Sequence, residues 1–242
     1  VQPPSTPPPA RGFAVVDVEA SGRSPWRHRV VEVGVVLLDY PLLRVEDEFT
    51  TLVDPGGPVG PTSVHRIAQE QVAGAPVFRE IAPHLADLLR GRVLVGHHVA
   101  CDVGFLVREF ARIGVAVPEV PTLCTMALAE RVLGARLAGR SLLACTAAFG
   151  LPGFDAHTAL GDARATARVL RRALSTPAGG VEPVRAAVEQ AQRALWPKLR
   201  RRAQALHTQN RSAVSGLEAY GVPCAVPYGV SAVCPAVPGG RA

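Results

Sequence analysis

No apolar run in this 242-residue chain reaches the roughly 18 residues of a membrane-spanning helix, so no membrane partner is expected. The opening VQPPSTPPPA has neither the basic nor the apolar part of a secretory signal, and residues 1–11 read as a flexible, proline-rich lead-in. Cysteine is scarce. Cys101, Cys124 and Cys145 are scattered, and Cys224 and Cys234 fall in the last stretch, so the five make no metal pattern and no obvious disulfide framework. The cytoplasm is the simplest compartment for such a chain. Charged residues are only 19% against 48% hydrophobic, enough to bury a full core, and the length permits one or two domains.

The positive charge that is present is unevenly placed. From Pro177 onward eight basic residues stand against Glu182, Glu189 and Glu218, which is +5 of the formal +6. Glu182 to Leu206 has helical spacing interrupted by Pro197 and carries Arg200, Arg201 and Arg202. A basic helix can meet phosphates with salt-dependent binding, or it can be a solvated face packed on the preceding domain. The final stretch repeats YGV and is rich in glycine, proline and small residues, as a disordered tail would be. The expected organisation is a lead-in (1–11), a folded domain (12–176), a basic helical extension (177–210) and a low-complexity tail (211–242).

FAVVDVE is an apolar, β-branched run, and side chains two apart on a strand share a face. Asp17 and Glu19 should therefore emerge side by side at the end of a buried strand. Arg29 to Asp39 and Val45 to Val53 read as two further strands of an antiparallel meander, with DPGGPVGP from Asp54 as a rigid turn region. Val77 to Leu89 reads as an amphipathic helix and Pro121 to Thr125 as a short strand. Val93 to Val95 forms another buried strand, followed by a helix with apolar spacing through Phe105, Leu106 and Phe110. Asp102 falls at its start. A last helix runs from about Ala159 to Leu174, with Asp162 in its first turns and His157 on the loop before it. Strands first and helices between later strands give an α/β order of elements.

Singly, these polar residues have plain structural roles. Asp102 suits an N-cap, Asp162 a helix dipole, Asp17 and Glu19 a solvated strand end, and His157 an ordinary loop. Together they occupy strand ends and helix starts, where α/β sheets place their sites. Two like charges about 4 Å apart repel by roughly 4 kcal/mol at an effective dielectric near 20, so converging carboxylates must protonate or bind cations. Oxygen ligands favour magnesium or manganese over zinc. Two such ions can clamp the attacking and leaving oxygens of a phosphodiester, and a neutral His157 could take a proton from the attacking water.

The segments FAVVDVEASG, VLVGHHVACDVGFL and HTALGDARATARVL resemble the three motifs of the DnaQ-like (DEDDh) exonuclease family, which includes the proofreading epsilon subunit of bacterial DNA polymerase III. The similarity runs from about Gly12 to Leu174, and the histidine five residues before the last aspartate marks the DEDDh branch. The resemblance implies an RNase H-like fold, a mixed five-stranded sheet flanked by helices. It also implies metal-dependent 3′ to 5′ release of nucleoside monophosphates, with two Mg2+ or Mn2+ ions. By the same resemblance Asp17 matches the bridging metal ligand, Glu19 and Asp162 the ligands of the water-activating ion, Asp102 the support of the second ion, and His157 the general base.

The substrate groove implied by the resemblance comprises Ala20, Ser21, Gly22, His65, His97 and His98. Here the chain departs from the family pattern. Ala20, Ser21 and Gly22 replace two threonines and a glycine, His98 replaces an asparagine, Cys101 an aromatic residue, and Arg66 a glycine. The expected partner is nucleic acid, single-stranded DNA 3′ ends first, in proofreading or repair, with a DNA polymerase or sliding clamp as a further candidate. QRALW from Gln192 has the residues of a clamp-binding peptide, and an amphipathic helix supplies the same ones. An exoribonuclease of the same superfamily and a non-catalytic nucleic-acid-binding module are the alternative readings.

Overall fold

The computed structural model describes residues 11–179 and 182–200. Three long strands come first: β1 (Phe13–Ala20), β2 (Val30–Leu38) and β3 (Val45–Leu52). They pair antiparallel as the expected meander. Two short strands, β4 (Val93–Gly96) and β5 (Thr122–Cys124), add in parallel on the other side of β1, giving the order β3-β2-β1-β4-β5. Strands buried on both faces read as continuous apolar runs rather than alternating ones, and β1, β2 and β4 do so. β3, at the edge, carries Glu46, Asp47 and Glu48, charges that discourage pairing with another chain.

Helices cover both faces. Small helices α1 (Thr62–His65) and α2 (Gln69–Val72) follow the meander, then α3 (Phe78–Leu89) and, after β4, α4 (Val99–Arg112). Residues of α3 and α4 pack with Ala14, Val16, Val35 and Leu94 in one core layer. After β5 come α5 (Thr125–Leu133), a short 3-10 turn, α6 (Leu142–Ala148) and α7 (Ala159–Leu174), which pack with Phe13, Val15, Val36, Leu38 and Val95 in the other. Odd and even positions of β1 therefore face different layers. This parity carries Asp17 and Glu19 to the α7 side. No helix among the described residues is long and apolar enough to cross a membrane.

The segment after α7 is integral to the fold. Helix α8 (Glu182–Arg193) buries Val184, Ala187, Val188 and Ala191 in the α5–α7 layer. Trp196, 5% exposed, lies in the opposite layer, edge-on to Phe110 with ring centroids 6.3 Å apart. The chain thus wraps the end of the sheet where β4 begins. Arg90, at the end of α3, fastens it by donating to the carbonyls of Trp196 (2.6 Å) and Pro197 (3.0 Å).

The helix expected to extend from Glu182 toward Leu206 stops at Arg193. Trp196 turns inward there, and the residue before a proline avoids helical backbone. The aromatic of QRALW is in the core, while Leu195 is exposed. The lead-in through Ala10, the cluster residues Arg201 and Arg202, and the tail lie outside the described residues.

Trp196→Ala should lower the unfolding free energy by about 3–5 kcal/mol, the usual range for emptying a buried aromatic site, measured by urea titration. Trp196→Phe should cost far less, because the buried indole Nε1 has no hydrogen-bond partner to lose. An alanine variant as stable as wild type would detach this segment from the core.

Candidate active site

Asp17 lies opposite Gly34 in the β1–β2 register, and Glu19 opposite Glu32, so all four positions face α7. Gly34 lets that helix come down onto the sheet. A Cβ at this position would lie 2.3–2.4 Å from the Ala159 carbonyl and the Leu160 nitrogen. The helix answers with small residues, Ala159 and Ala163, both fully buried. Its first N–H groups lack intrahelical partners, and the Ala159 N–H donates to Glu32 Oε2 at 2.9 Å. Asp162 is thereby brought over the strand ends carrying Asp17 and Glu19.

Glu32 is a member of the cluster that the motifs do not single out. A signal exists in the sequence: a carboxylate inside VVEVGVVLL, a strand buried on both faces, needs a partner. Here the partners are the α7 N-terminus and the Thr50 hydroxyl, which donates to Oε1 at 3.4 Å.

Asp102 arrives on α4 from the other layer. A Cβ at Gly96 would lie 2.9 Å from Asp102 Oδ2, so the glycine makes room for the carboxylate. Asp102 is 8% exposed and accepts from the Val18 N–H at 3.2 Å. Two turns along α4, the fully buried Glu109 receives Arg29 bidentately, Nε at 2.8 Å and Nη2 at 3.0 Å. It also accepts from the Val30 N–H (3.2 Å) and from Arg112 (3.1 Å). These bonds tie α4 to the start of β2 and so set the position of Asp102.

Gathered in this way, the carboxylates resist ionisation. Burial is the first cause for each. Asp17 is held well above its ordinary range by burial and then by the charges of Asp102, Asp162, Glu19 and Glu32. Burial, with Asp162 and Glu32 next, pushes Glu19 up to about 7. Burial also raises Asp102 to about 7, against hydrogen bonds that favour its anion. Glu32 and Asp162 are raised by burial too.

His157, exposed and in left-handed backbone (φ 69°), donates its N–H to Asp162 Oδ2 at 3.2 Å. Ligand atoms of Glu19, His157 and Asp162 lie within 4.8 Å of one another. Asp162 Oδ1 is buried without a hydrogen-bond partner. An orphaned carboxylate oxygen among acids held above their normal range, with oxygen as the main donor atom, fits a hard divalent cation.

The expected substrate residues fare differently. Ser21 and Gly22 continue from β1 at the rim of the cluster. The Ser21 hydroxyl accepts from the Arg29 N–H at 3.0 Å, Gly22 leaves room for the His28 ring, and Ala20 packs toward the α3–α4 layer. His98 is exposed at the start of α4.

His65 and His97 are bonded within the framework of the fold. His65 is 2% exposed, with Nδ1 accepting from the Ile67 N–H (3.0 Å) and Nε2 donating to the Val59 carbonyl (3.0 Å). His97 bridges the Thr125 hydroxyl (3.0 Å) and the Arg140 carbonyl (2.8 Å), and burial lowers its pKa. Neither ring has a free nitrogen for a ligand.

Comparison with known proteins identifies the family and the fold. Residues 14–170 match the exonuclease family RNase_T. The chain is similar to a DNA polymerase III subunit epsilon-like protein of Rhodobacter capsulatus, 36% identical over 167 residues, covering 67% of this chain and 23% of that protein. It is 28% identical over 164 residues to the DNA polymerase III subunit epsilon of Aquifex aeolicus, covering 67% of this chain and 80% of that protein. Of the Rhodobacter protein and a PolC-type DNA polymerase III of Clostridium perfringens, the chain spans only 23% and 11% of the length.

Among solved structures, exonuclease X in complex with 5′ overhanging duplex DNA is 24% identical with a TM-score of 0.55, covering 73% of this chain and 99% of that one. The nuclease domain of 3′hExo, a DEDDh family member bound to rAMP, is 21% identical with a TM-score of 0.55, covering 69% of this chain and 93% of that one. These two likenesses give the fold, which is RNase H-like. With its acidic cluster and histidine in place, the chain belongs to the exonuclease family, in its DnaQ-like, DEDDh branch.

Proposed function

We propose that this protein is a metal-dependent 3′ to 5′ exonuclease that hydrolyses the terminal phosphodiester of DNA and releases nucleoside 5′-monophosphates, in proofreading or repair. The observation that carries the reading is the convergence of Asp17, Glu19, Asp102 and Asp162 with His157, including the unpartnered Asp162 oxygen. Asp17, Glu19, Asp102 and Asp162 would hold two divalent ions, Mg2+ or Mn2+. When bound, such ions supply an activated water and stabilise charge on the phosphoryl oxygens.

The chain's own residues account for the rest. Helices α4 and α7 both begin at the cluster, and their positive ends favour a phosphate there. His157, exposed beside Asp162, would accept the proton of the attacking water at a ring nitrogen. The adjoining Ser21 and Gly22 would meet the terminal nucleotide. An exoribonuclease with the same site is the second reading, because His98 and Cys101 alter the groove side of α4.

The test is to follow 5′-labelled single-stranded DNA and the matching RNA with magnesium or manganese. A ladder shortening from the 3′ end of DNA is expected, and shortening of RNA alone would favour the second reading. Asp17→Asn should abolish turnover with the fold intact by circular dichroism. His157→Ala should lose about 10² to 10⁴ in rate, the scale of a general base, and an unchanged rate would mean another group takes the proton.

Carboxylates with raised folded-state pKa values hold protons that the unfolded chain has released, so in chelator they cost stability as pH rises from about 4 to about 7. Asp102→Asn should therefore melt above wild type in chelator near pH 8, with the gap closing near pH 5. Added magnesium or manganese should raise wild type more than the variant. An asparagine variant that melts lower in chelator at the higher pH would contradict the repulsion.

A further inference from the structure

The connection from β1 to β2 leaves the active site as SGRSPWRHR, with three arginines and no acidic residue. At its tip Trp26 is 69% exposed. A tryptophan so exposed contributes little to a core, yet it is held firmly. The Arg108 guanidinium of α4 lies over one side of its ring, 3.1 Å from the centroid. Arg112 donates to the carbonyls of Pro25 (2.7 Å) and Trp26 (3.2 Å). The Arg27 and His28 N–H groups close onto the Ser24 carbonyl, and the Ser24 N–H onto His28 Nδ1. Arg23 and Arg27, three residues before and one after Trp26 on the same loop, are both exposed.

The position is specific. Pro25 packs 3.7 Å from where a Cβ on Gly104 would be, and Trp26 stands over Arg108. Asp102 to Arg108 is six residues, about 9 Å along a helix. The loop thus packs on the stripe of α4 that carries Gly104, Arg108 and Arg112, within two to three turns of Asp102.

A rigid, exposed aromatic face among unneutralised arginines is what a single strand requires: a π-surface for a base and positive charge for its phosphates. An acidic peptide would use the charge but not the ring. We infer that Trp26, with Arg23, Arg27 and Arg108, forms a stacking platform for an unpaired base upstream of the nucleotide being removed. The inference rests on the exonuclease reading for the direction of the strand. It goes beyond that reading in assigning a subsite to a loop with no catalytic group. Because the loop is already tied down, little ordering is lost when a base arrives.

The experiment uses the full chain with a short single-stranded DNA in chelator, so that nothing is cut, and reads tryptophan emission and the anisotropy of a label on the DNA. Emission from Trp26 should be quenched on binding, while the buried Trp196 supplies a constant background. Trp26→Ala should weaken binding on the order of tenfold, the scale of one stacked base. KM for the strand should rise in parallel and kcat should hold. Hydrolysis of a thymidine 5′-monophosphate aryl ester, which has no upstream base, should be unchanged. Trp26→Phe should lose the quench and keep the affinity. Arg23→Gln with Arg27→Gln should reduce the salt slope of binding by about 0.7 for each phosphate that is no longer neutralised.

Alanine-variant affinity equal to wild type, or no quench of wild type at saturation, would overturn the platform, as would a surface that takes only acidic peptide. Should Trp26→Ala fail to fold, the wild-type quench and the phenylalanine variant decide. A wild type that binds and quenches but cuts neither DNA nor the ester would instead sink the exonuclease reading and leave the platform standing.

Discussion

The gathering of partly buried carboxylates at one end of the sheet is the constraint that organises this molecule. Asp17, Glu19, Glu32, Asp102 and Asp162 are all shifted toward their neutral forms, by burial first in each case and by the charge of neighbouring carboxylates in addition. Left alone, such groups would separate. Three devices oppose that. Gly34 lets α7 descend onto the sheet opposite Asp17. Glu32 is bonded to the first N–H of the same helix. Glu109, gripped by Arg29 and Arg112, holds α4 with Asp102 on it. The last pair is buried on the glutamate side, where removing one partner leaves an uncompensated charge. It therefore acts as a positional lock more than as a source of stability.

Much of this frame was legible in the chain. The two-residue spacing of Asp17 and Glu19 on an apolar run forces them onto one face, and the strand bears this out. The β1–β2–β3 meander, the helix from Phe78 and the helix from Ala159 follow from the same periodicities. What escaped depends on tertiary partners. Nothing local says that both nitrogens of His65 or His97 are already bonded within the framework. Nor does helical spacing after Glu182 reveal that Trp196 leaves the helix path to reach Phe110. Glu32 is the intermediate case, visible as a charge in an apolar strand and interpretable only once α7 is set above it.

The histidine of the site shows how the frame stores constraint. His157 holds a left-handed backbone, a conformation that costs a non-glycine residue on the order of 1 kcal/mol or more and persists only where its surroundings impose it. They do so through the N–H bond to Asp162. Arg66, the residue at a position where the family pattern has glycine, is left-handed as well. It pairs with Asp155, two residues before His157, at 3.2 Å. Both side chains are largely exposed, so the pair adds little energy. It does connect the α1 loop to the histidine loop, and a departure from the family pattern thereby becomes a contact of this particular site.

The distribution of positive charge follows a different logic from the one its composition suggests. The basic surplus lies after Pro177, yet α8 and Trp196 anchor that segment where β4 begins, and the exposed Lys198 and Arg200 follow from there. The carboxylates stand at the other end of β1, and seven residues of strand from Phe13 to Glu19 span about 20 Å. Salt screens exposed charges within about 8 Å at physiological ionic strength. Lys198 and Arg200 therefore exert little pull on a strand end arriving at the site. Among the described residues, Arg23 and Arg27 on the β1–β2 loop and Arg108 beneath the Trp26 ring are the arginines of the proposed platform. Proximity to the site decides their role, and net charge does not.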